Sequence, residues 1–327
     1  MSIESRDQFG RRIEYLRISV TDKCNFRCLY CMPEEGLVWL PRSEILDYEE
    51  IAQIVRELAP LGVKRVRITG GEPTIRPRLE ILIDALRSID GIDDISLSTN
   101  GVRLPELAET YAQAGLDRVN MSADSLQQER IRAISRRNFD FDPMVSARAA
   151  SAAGLKPIKI NVVVMRGIND DEIEDFARLT FEEPLHVRFI ELMPVGGMRE
   201  LTWEHVVPSA EVLDRISRLG QLEPVPGPTR GNGPATYYSF SGATGSIGVI
   251  TPMSHTYCGS CNRVRLTADG RLRTCLFGEH SVNLRDPLRR GEAVGPLFLE
   301  ALEEKPLEHN LLQMKVGGLH ALSQVGG

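Results

Sequence analysis

The feature that most constrains this chain is an alternation of segment types. Stretches rich in Val and Ile at 15–20 (YLRISV), 64–69 (KRVRIT), 94–99 (DISLST), 117–122 (DRVNMS), 157–165 and 186–192 (HVRFIEL) have the composition of strands. Amphipathic stretches lie between them. The clearest starts at Asp47, an N-cap with Glu50 three residues on, and carries Tyr48, Ile51, Ile54, Val55 and Leu58 at helical spacing. Others run from Leu79 to Ile89, Pro105 to Ala114 and Asp171 to Leu179. Six β-then-α units predict a parallel sheet, either closed as a partial barrel or left open.

Parallel strands covered on both faces read as apolar throughout. These do not. Alternate residues put Leu16, Ile18, Val66, Ile68, Ile95, Leu97, Val119, Met121, Ile158 and Ile160 on one face. The other face holds Arg17 and Ser19, Arg65, Arg67 and Thr69, Ser96 and Ser98, Asn120 and Ser122, and Lys159 and Asn161. Burying that many cations and amides without partners costs several kcal/mol each. The polar face is therefore expected to line a wet cavity or an anionic ligand, which favours a barrel-like enclosure.

Beyond about residue 195 the pattern changes. Residues 209–220 predict a short helix, 224–234 a Pro/Gly-rich loop, TYYSF and GSIGVIT strands, and 263–275 a hairpin turning at Asp269-Gly270. A chain of 327 residues supports about two domains, and the expected division is 1–195 and 196–327. MSIESRDQFG has no apolar core, and no apolar run approaches the roughly twenty residues of a membrane helix. The expectation is a cytoplasmic protein with reduced cysteines and no membrane partner. A net charge of −6 without a basic tail argues against nonspecific nucleic-acid binding, although local arginines can meet a small anion.

The six cysteines form two triplets. Cys24, Cys28 and Cys31, spaced C-x3-C-x2-C, follow the first strand directly, on the side where active sites of such sheets lie. A structural zinc site wants four ligands; an iron–sulfur cluster held by three thiolates leaves one iron open to an exogenous ligand. Cys258, Cys261 and Cys275 are spaced C-x2-C-x13-C across the hairpin. A zinc ribbon with His255 or His280 as fourth ligand stands beside a second cluster as a reading of these residues.

The first cysteine loop, with Tyr30 before its last cysteine and GGEP at 70–73, resembles the radical S-adenosylmethionine (SAM) superfamily. The stretch YCGSCNRVRLTADGRLRTCLF closely resembles the signature of the GTP 3′,8-cyclases, the molybdenum-cofactor biosynthesis protein A family. That likeness runs from YLRISVTDKCNFRCLYC through RVRITGGEPTIR, NVVVMRGIND and RFIELMPVG to Gly326-Gly327. It implies a partial (β/α)6 barrel with a smaller C-terminal domain, and two [4Fe-4S] clusters, on Cys24, Cys28 and Cys31 and on Cys258, Cys261 and Cys275. It also implies SAM cleavage to a 5′-deoxyadenosyl radical, hydrogen abstraction from C3′ of GTP, and closure onto C8 of a guanine held by the second cluster. The positions matching the family's SAM site are Tyr30, Gly71, Ser122 and Met193. Those matching its GTP site are Arg17, Arg67, Ser98, Lys159, Arg263 and Arg265, with Arg65 and Arg188 as further phosphate candidates. Where the family often has TTNG this chain has STNG at 98–101, so Thr99 is an alternative contact to Ser98. In the family Gly326 and Gly327 reach the active site, and the resemblance further implies a homodimer, a reductant protein and a downstream cyclic pyranopterin monophosphate synthase. Two rival readings are a two-cluster radical enzyme acting on a peptide and a zinc-binding interaction module.

Overall fold

A computed structural model describes residues 5–193, 201–229, 233–278, 280–309 and 322–324. The expected alternation forms β1 (Tyr15–Ser19), α1 (Tyr48–Leu58), β2 (Arg65–Thr69), α2 (Leu79–Arg87), β3 (Asp94–Thr99), α3 (Leu104–Gln113) and β4 (Arg118–Ser122). It continues with α4 (Gln128–Ser135), α5 (Pro143–Ala152), β5 (Ile158–Val164), α6 (Ile173–Glu182) and β6 (Leu185–Glu191). Asp47 caps α1 as expected: its carboxylate accepts from Glu50 N at 2.7 Å while Glu50 Oε2 accepts from Asp47 N at 2.8 Å. Helix α6 starts two residues later than Asp171. The preceding turn, Asp170–Glu172, points Glu172 inward, where it accepts from Ser125 Oγ at 2.6 Å and Leu126 N at 2.7 Å.

Strands β1 to β6 pair in sequence order, all parallel. The apolar face is the core: Leu16, Ile18, Val66, Ile68, Ile95, Leu97, Val119, Met121, Ile158 and Ile160 are fully buried, packed in one cluster with Ile51, Ile54, Val55 and Leu58 of α1. Each such side chain removed from water contributes about 1.5–3 kcal/mol. Nothing comparable rewards the opposite face, so its polar groups are free to serve a cavity.

The later residues add to both edges of this same sheet. After α7 (Ser209–Ser217) come β7 (Leu222–Val225), β8 (Ala235–Phe240) and β9 (Ser246–Ile250), and β9 pairs parallel to β6. Then β10 (Arg263–Leu266) pairs parallel to β1, and β11 (Arg271–Arg273) and β12 (Val282–Asn283) follow antiparallel, before α8 (Arg285–Arg289) and α9 (Gly295–Glu303). The result is a single 12-stranded sheet ordered β12-β11-β10-β1-β2-β3-β4-β5-β6-β9-β8-β7. The hairpin between β10 and β11 turns where expected, with Gly270 at φ +79°, a left-handed conformation open to glycine without strain. Among the described residues no helix is long and apolar enough to cross a membrane.

Candidate active site

The register aligns the polar face into rows. Arg17 stands beside Arg67 on one side and Arg265 on the other, and Arg67 beside Ser96. Ser98 pairs with Asn120, Asn120 with Lys159, and Asn161 with Arg188. These rows face a cavity of about 440 Å³, within the range of small-molecule sites. Arg17, Arg67, Ser98, Lys159, Arg263 and Arg265 all line it, as do Tyr30, Gly71, Ser122 and Met193. Gly326 and Gly327 lie outside the described residues.

The cavity walls are unusually cationic. Ion pairs hold Arg118 to Asp94 and Arg65 to Glu14. Arg67, Lys159 and Arg188 have neutral hydrogen-bond partners instead: Ser96 Oγ at 3.4 Å, Thr229 Oγ1 at 2.9 Å and Asn120 Oδ1 at 2.9 Å. Burial, reinforced by Arg188, Arg118 and Arg67, pushes Lys159 down to about 6. Burial beside Arg263 takes Arg265 down to about 10, and burial with Arg265 and Arg67 takes Arg17 well below its ordinary value. The mutual repulsion of these groups disfavours their charged forms, and a polyanion would relieve it.

The first cysteine loop closes the C-terminal rim of the sheet. Gly70 and Gly71 carry it: Gly71 N donates to Thr21 O at 2.7 Å and Glu72 N to Lys23 O at 2.8 Å. A Cβ on Gly71 would lie 2.0 Å from Lys23 O, so packing alone requires glycine there. Glu72 is spent inside the scaffold, accepting from Thr99 Oγ1 and Asn100 N at 2.7 Å each. Thr99 is thereby engaged, whereas Ser98 sits on the polar face; of the two, Ser98 is the better placed to meet a ligand. Tyr30 Oη donates to Asp124 Oδ2 at 2.7 Å, tying the loop to the end of β4. Burial pushes Asp124 up to about 6.

The three loop thiols interact through space with one another. Burial, aided by Glu72, pushes Cys24 up to about 12, and Cys28 rises well above its usual value. Burial takes Cys31 up to about 11, opposed by the backbone and hydroxyl of buried Ser323. Segment 322–324 therefore reaches this loop.

The second triplet brackets the hairpin at the opposite rim. Cys258 and Cys261 precede β10, whose first residue pairs with Tyr15 at the start of β1, and Cys275 follows β11. Along β1 alone the two rims are separated by on the order of 15 Å. Cys258 is raised by burial and by Cys275 and Cys261. Cys261 is lowered: burial opposes its thiolate, but Arg263 and Lys305 outweigh it.

Among the described residues no three His, Cys, Asp or Glu side chains converge as a single metal ion requires. His280 points to Glu304, with Nε2 3.4 Å from the carboxylate, and His255 is exposed. His309 has its backbone facing Cys258 and its ring packed edge-on against Phe277 at 5.1 Å. Two clusters of thiols, each mutually coupled yet too open for one ion, suit polynuclear iron–sulfur ligation better than zinc. Sequence reasoning passed over Asp124, Lys305, Ser323 and His309; SADS at 122–125, just past β4, was the one signal available.

Residues 18–180 match the radical SAM superfamily and residues 185–311 the molybdenum cofactor synthesis C family. GTP 3′,8-cyclase from Heliobacterium modesticaldum is 46% identical, covering 98% of this chain and 99% of its own. The enzyme of the same name from Moorella thermoacetica is 47% identical over 98% of this chain and 100% of its own. Among solved structures, Streptococcus suis SuiB superposes with a TM-score of 0.64 at 14% identity, covering 98% of this chain and 74% of that one. At that identity the likeness shows fold alone, and it agrees with the sheet described above. This chain belongs to the GTP 3′,8-cyclase family of radical SAM enzymes.

Proposed function

We propose that this chain converts GTP to (8S)-3′,8-cyclo-7,8-dihydroguanosine 5′-triphosphate, in molybdenum cofactor biosynthesis, within the cavity between the two thiol triplets. The observation that carries the reading is the set of cations facing that space, Arg17, Arg67, Lys159, Arg188, Arg263 and Arg265; in four of them, Arg17, Lys159, Arg188 and Arg265, burial and neighbouring cations disfavour the charged form, a penalty that a triphosphate would relieve. When bound, the two [4Fe-4S] clusters and SAM supply the one-electron chemistry, reductive cleavage of SAM giving the 5′-deoxyadenosyl radical that takes hydrogen from C3′.

The chain's own work is holding and exclusion. Cys24, Cys28 and Cys31 would hold one cluster and Cys258, Cys261 and Cys275 the other, whose open iron would supply a binding point for the guanine. Tyr30, Gly71, Ser122 and Met193 bound the SAM end of the cavity, and the arginines, Lys159 and Ser98 fix the nucleotide so that C3′ faces that end. The buried position of these groups keeps water from a reactive carbon centre, and most of the rate advantage comes from this positioning. Gly326 and Gly327, which lie outside the described residues, are assigned a part in the hydrogen-abstraction step on the family likeness alone.

In this reading residues 1–195 are the radical-generating part and 196–327 the substrate-holding part, although both contribute to one sheet. The protein works in the cytoplasm as a homodimer, takes electrons from a reductant protein, and passes its product to cyclic pyranopterin monophosphate synthase. The test is an anaerobic assay with SAM, GTP and reductant. Equal formation of 5′-deoxyadenosine and cyclised nucleotide supports the assignment; deoxyadenosine formation that ignores GTP, with no nucleotide product, refutes it.

A further inference from the structure

Lys305, two residues beyond α9, is among the most deeply buried side chains of the protein, only 2% exposed. Its ammonium has three donors, and three acceptors meet it: Thr274 O at 2.5 Å, Arg263 O at 2.9 Å and Cys261 Sγ at 3.7 Å. Thr274 immediately precedes Cys275 and Arg263 lies two residues after Cys261, so one side chain joins both arms of the second triplet. The three N–H donors of an ammonium match these three acceptors one for one. No carboxylate pairs with Lys305 among the described residues, and burying an ammonium against carbonyls alone is costly. The anionic partner at hand is the sulfur of Cys261.

The surroundings keep Lys305 in place. Arg11, itself buried, donates from Nη1 to Cys258 O at 2.7 Å and Leu307 O at 3.0 Å, and from Nη2 to Pro306 O at 2.7 Å. Its Nε binds Asp7 at 2.5 Å. The segment carrying Lys305 is thereby locked to the CGSC turn from outside while the ammonium locks it from within.

We propose that Lys305 is a positioning residue of the second thiolate site, donating to the Cys261 sulfur and balancing thiolate charge so that the cluster held there has a raised reduction potential. This rests on the reading that the second triplet holds a [4Fe-4S] cluster. Hydrogen bonds to cluster sulfurs and net charge around them are the levers by which a protein sets such potentials. An adjacent cation stabilises the reduced, more negative state.

The test uses the full chain with Cys24, Cys28 and Cys31 replaced by Ser, where the second cluster alone remains, in redox titrations followed by electron paramagnetic resonance. Lys305→Met is expected to retain about four irons per chain while the midpoint potential shifts downward; Lys305→Gln, which keeps N–H donors without charge, is expected to fall between the two. An unchanged potential in Lys305→Met with the cluster present overturns the inference. If Lys305→Met loses its iron, the Gln variant decides: a lowered potential supports the proposal and an unchanged one overturns it. Loss of iron from Met, Gln and Arg variants alike, with helical content intact, assigns Lys305 to packing and also overturns it. Absence of any cluster in the Lys305-containing parent is a different failure, that of the two-cluster reading itself.

Discussion

The two thiol triplets are built alike in number and unlike in surroundings. The loop carrying Cys24, Cys28 and Cys31 is held by backbone contacts to Gly70 and Gly71, by the Tyr30–Asp124 bond and by Arg27, which donates to Cys24 O at 2.8 Å; the carboxylates of Glu72 and Asp124 stand beside its sulfurs. The triplet of Cys258, Cys261 and Cys275 is held by Lys305 and Arg11, with Arg263 alongside. Negative neighbours disfavour a further electron on a bound cluster and positive ones favour it. On the proposed function the difference teaches a division of labour: carboxylates at the first site would favour giving an electron away to a sulfonium, and Lys305 and Arg263 at the second would favour keeping charge and holding a ligand. The cationic cavity is lined by Cys24, Cys28 and Cys31 themselves, whereas it approaches the second triplet only through its neighbours, among them Tyr257, Arg263 and Leu276.

The largest effect that could break this contrast comes from removing each triplet. With Cys24, Cys28 and Cys31 changed to Ser, reductive SAM cleavage is expected to fall to the background of reductant alone. Changing Cys258, Cys261 and Cys275 should leave measurable 5′-deoxyadenosine while cyclised nucleotide drops by at least about a hundredfold, the scale of lost substrate positioning. Product from either variant at the unaltered rate would dissolve the distinction. Next in size is deletion of Gly326 and Gly327, expected to lower product roughly tenfold to a hundredfold with both clusters assembled. A synthetic peptide ending in Gly-Gly should restore part of it, and full activity of the truncated chain would remove these glycines from the site.

Arg263→Ala and Arg265→Ala sharpen the comparison from the substrate side. Loss of a charge-assisted contact of about 1.5–3 kcal/mol weakens GTP binding roughly tenfold to a hundredfold. Calorimetric titration reads this directly, with iron content as control; unchanged affinity in both variants would return them to ordinary wall residues. The smallest effect is a pH dependence. Lys159, held down to about 6 in the free protein, is mostly neutral at about pH 8 and gains a proton when phosphate raises its pKa again. Binding therefore strengthens as pH falls from about 8 towards 6, by at most about tenfold per unit. The slope is expected to be steeper than in Lys159→Met, which removes the titrating amine and isolates it from the nucleotide's own ionisation. Parallel slopes for the two proteins would contradict the assignment.

Much of this was legible in the chain because it is written at short range. Alternation in strands such as RVRIT assigned Arg67 to the polar face, and register merely lined it up with Arg17 and Ser96. Helices α4 and α5 carry no such pattern: QERIRAIS is mostly polar, and PMVSARAASA offers small residues in place of an apolar stripe. Nor does any local pattern say that β9 and β10, both far along the chain, join opposite edges of the first sheet. That long-range choice puts the second triplet at the far end of β1 from the first, and it makes Lys305 meaningful. In the sequence Lys305 is one lysine after EE; only the fold brings Cys261 and Thr274 to it.

Iron, sulfide and zinc content after anaerobic purification, measured on the intact chain and on the two triple-Ser variants, tests the central claim most directly. Two four-iron clusters give about eight iron and eight sulfide per chain, falling to about four in each variant. Stoichiometric zinc that disappears with Cys258, Cys261 and Cys275, or iron that is indifferent to them, would contradict the account.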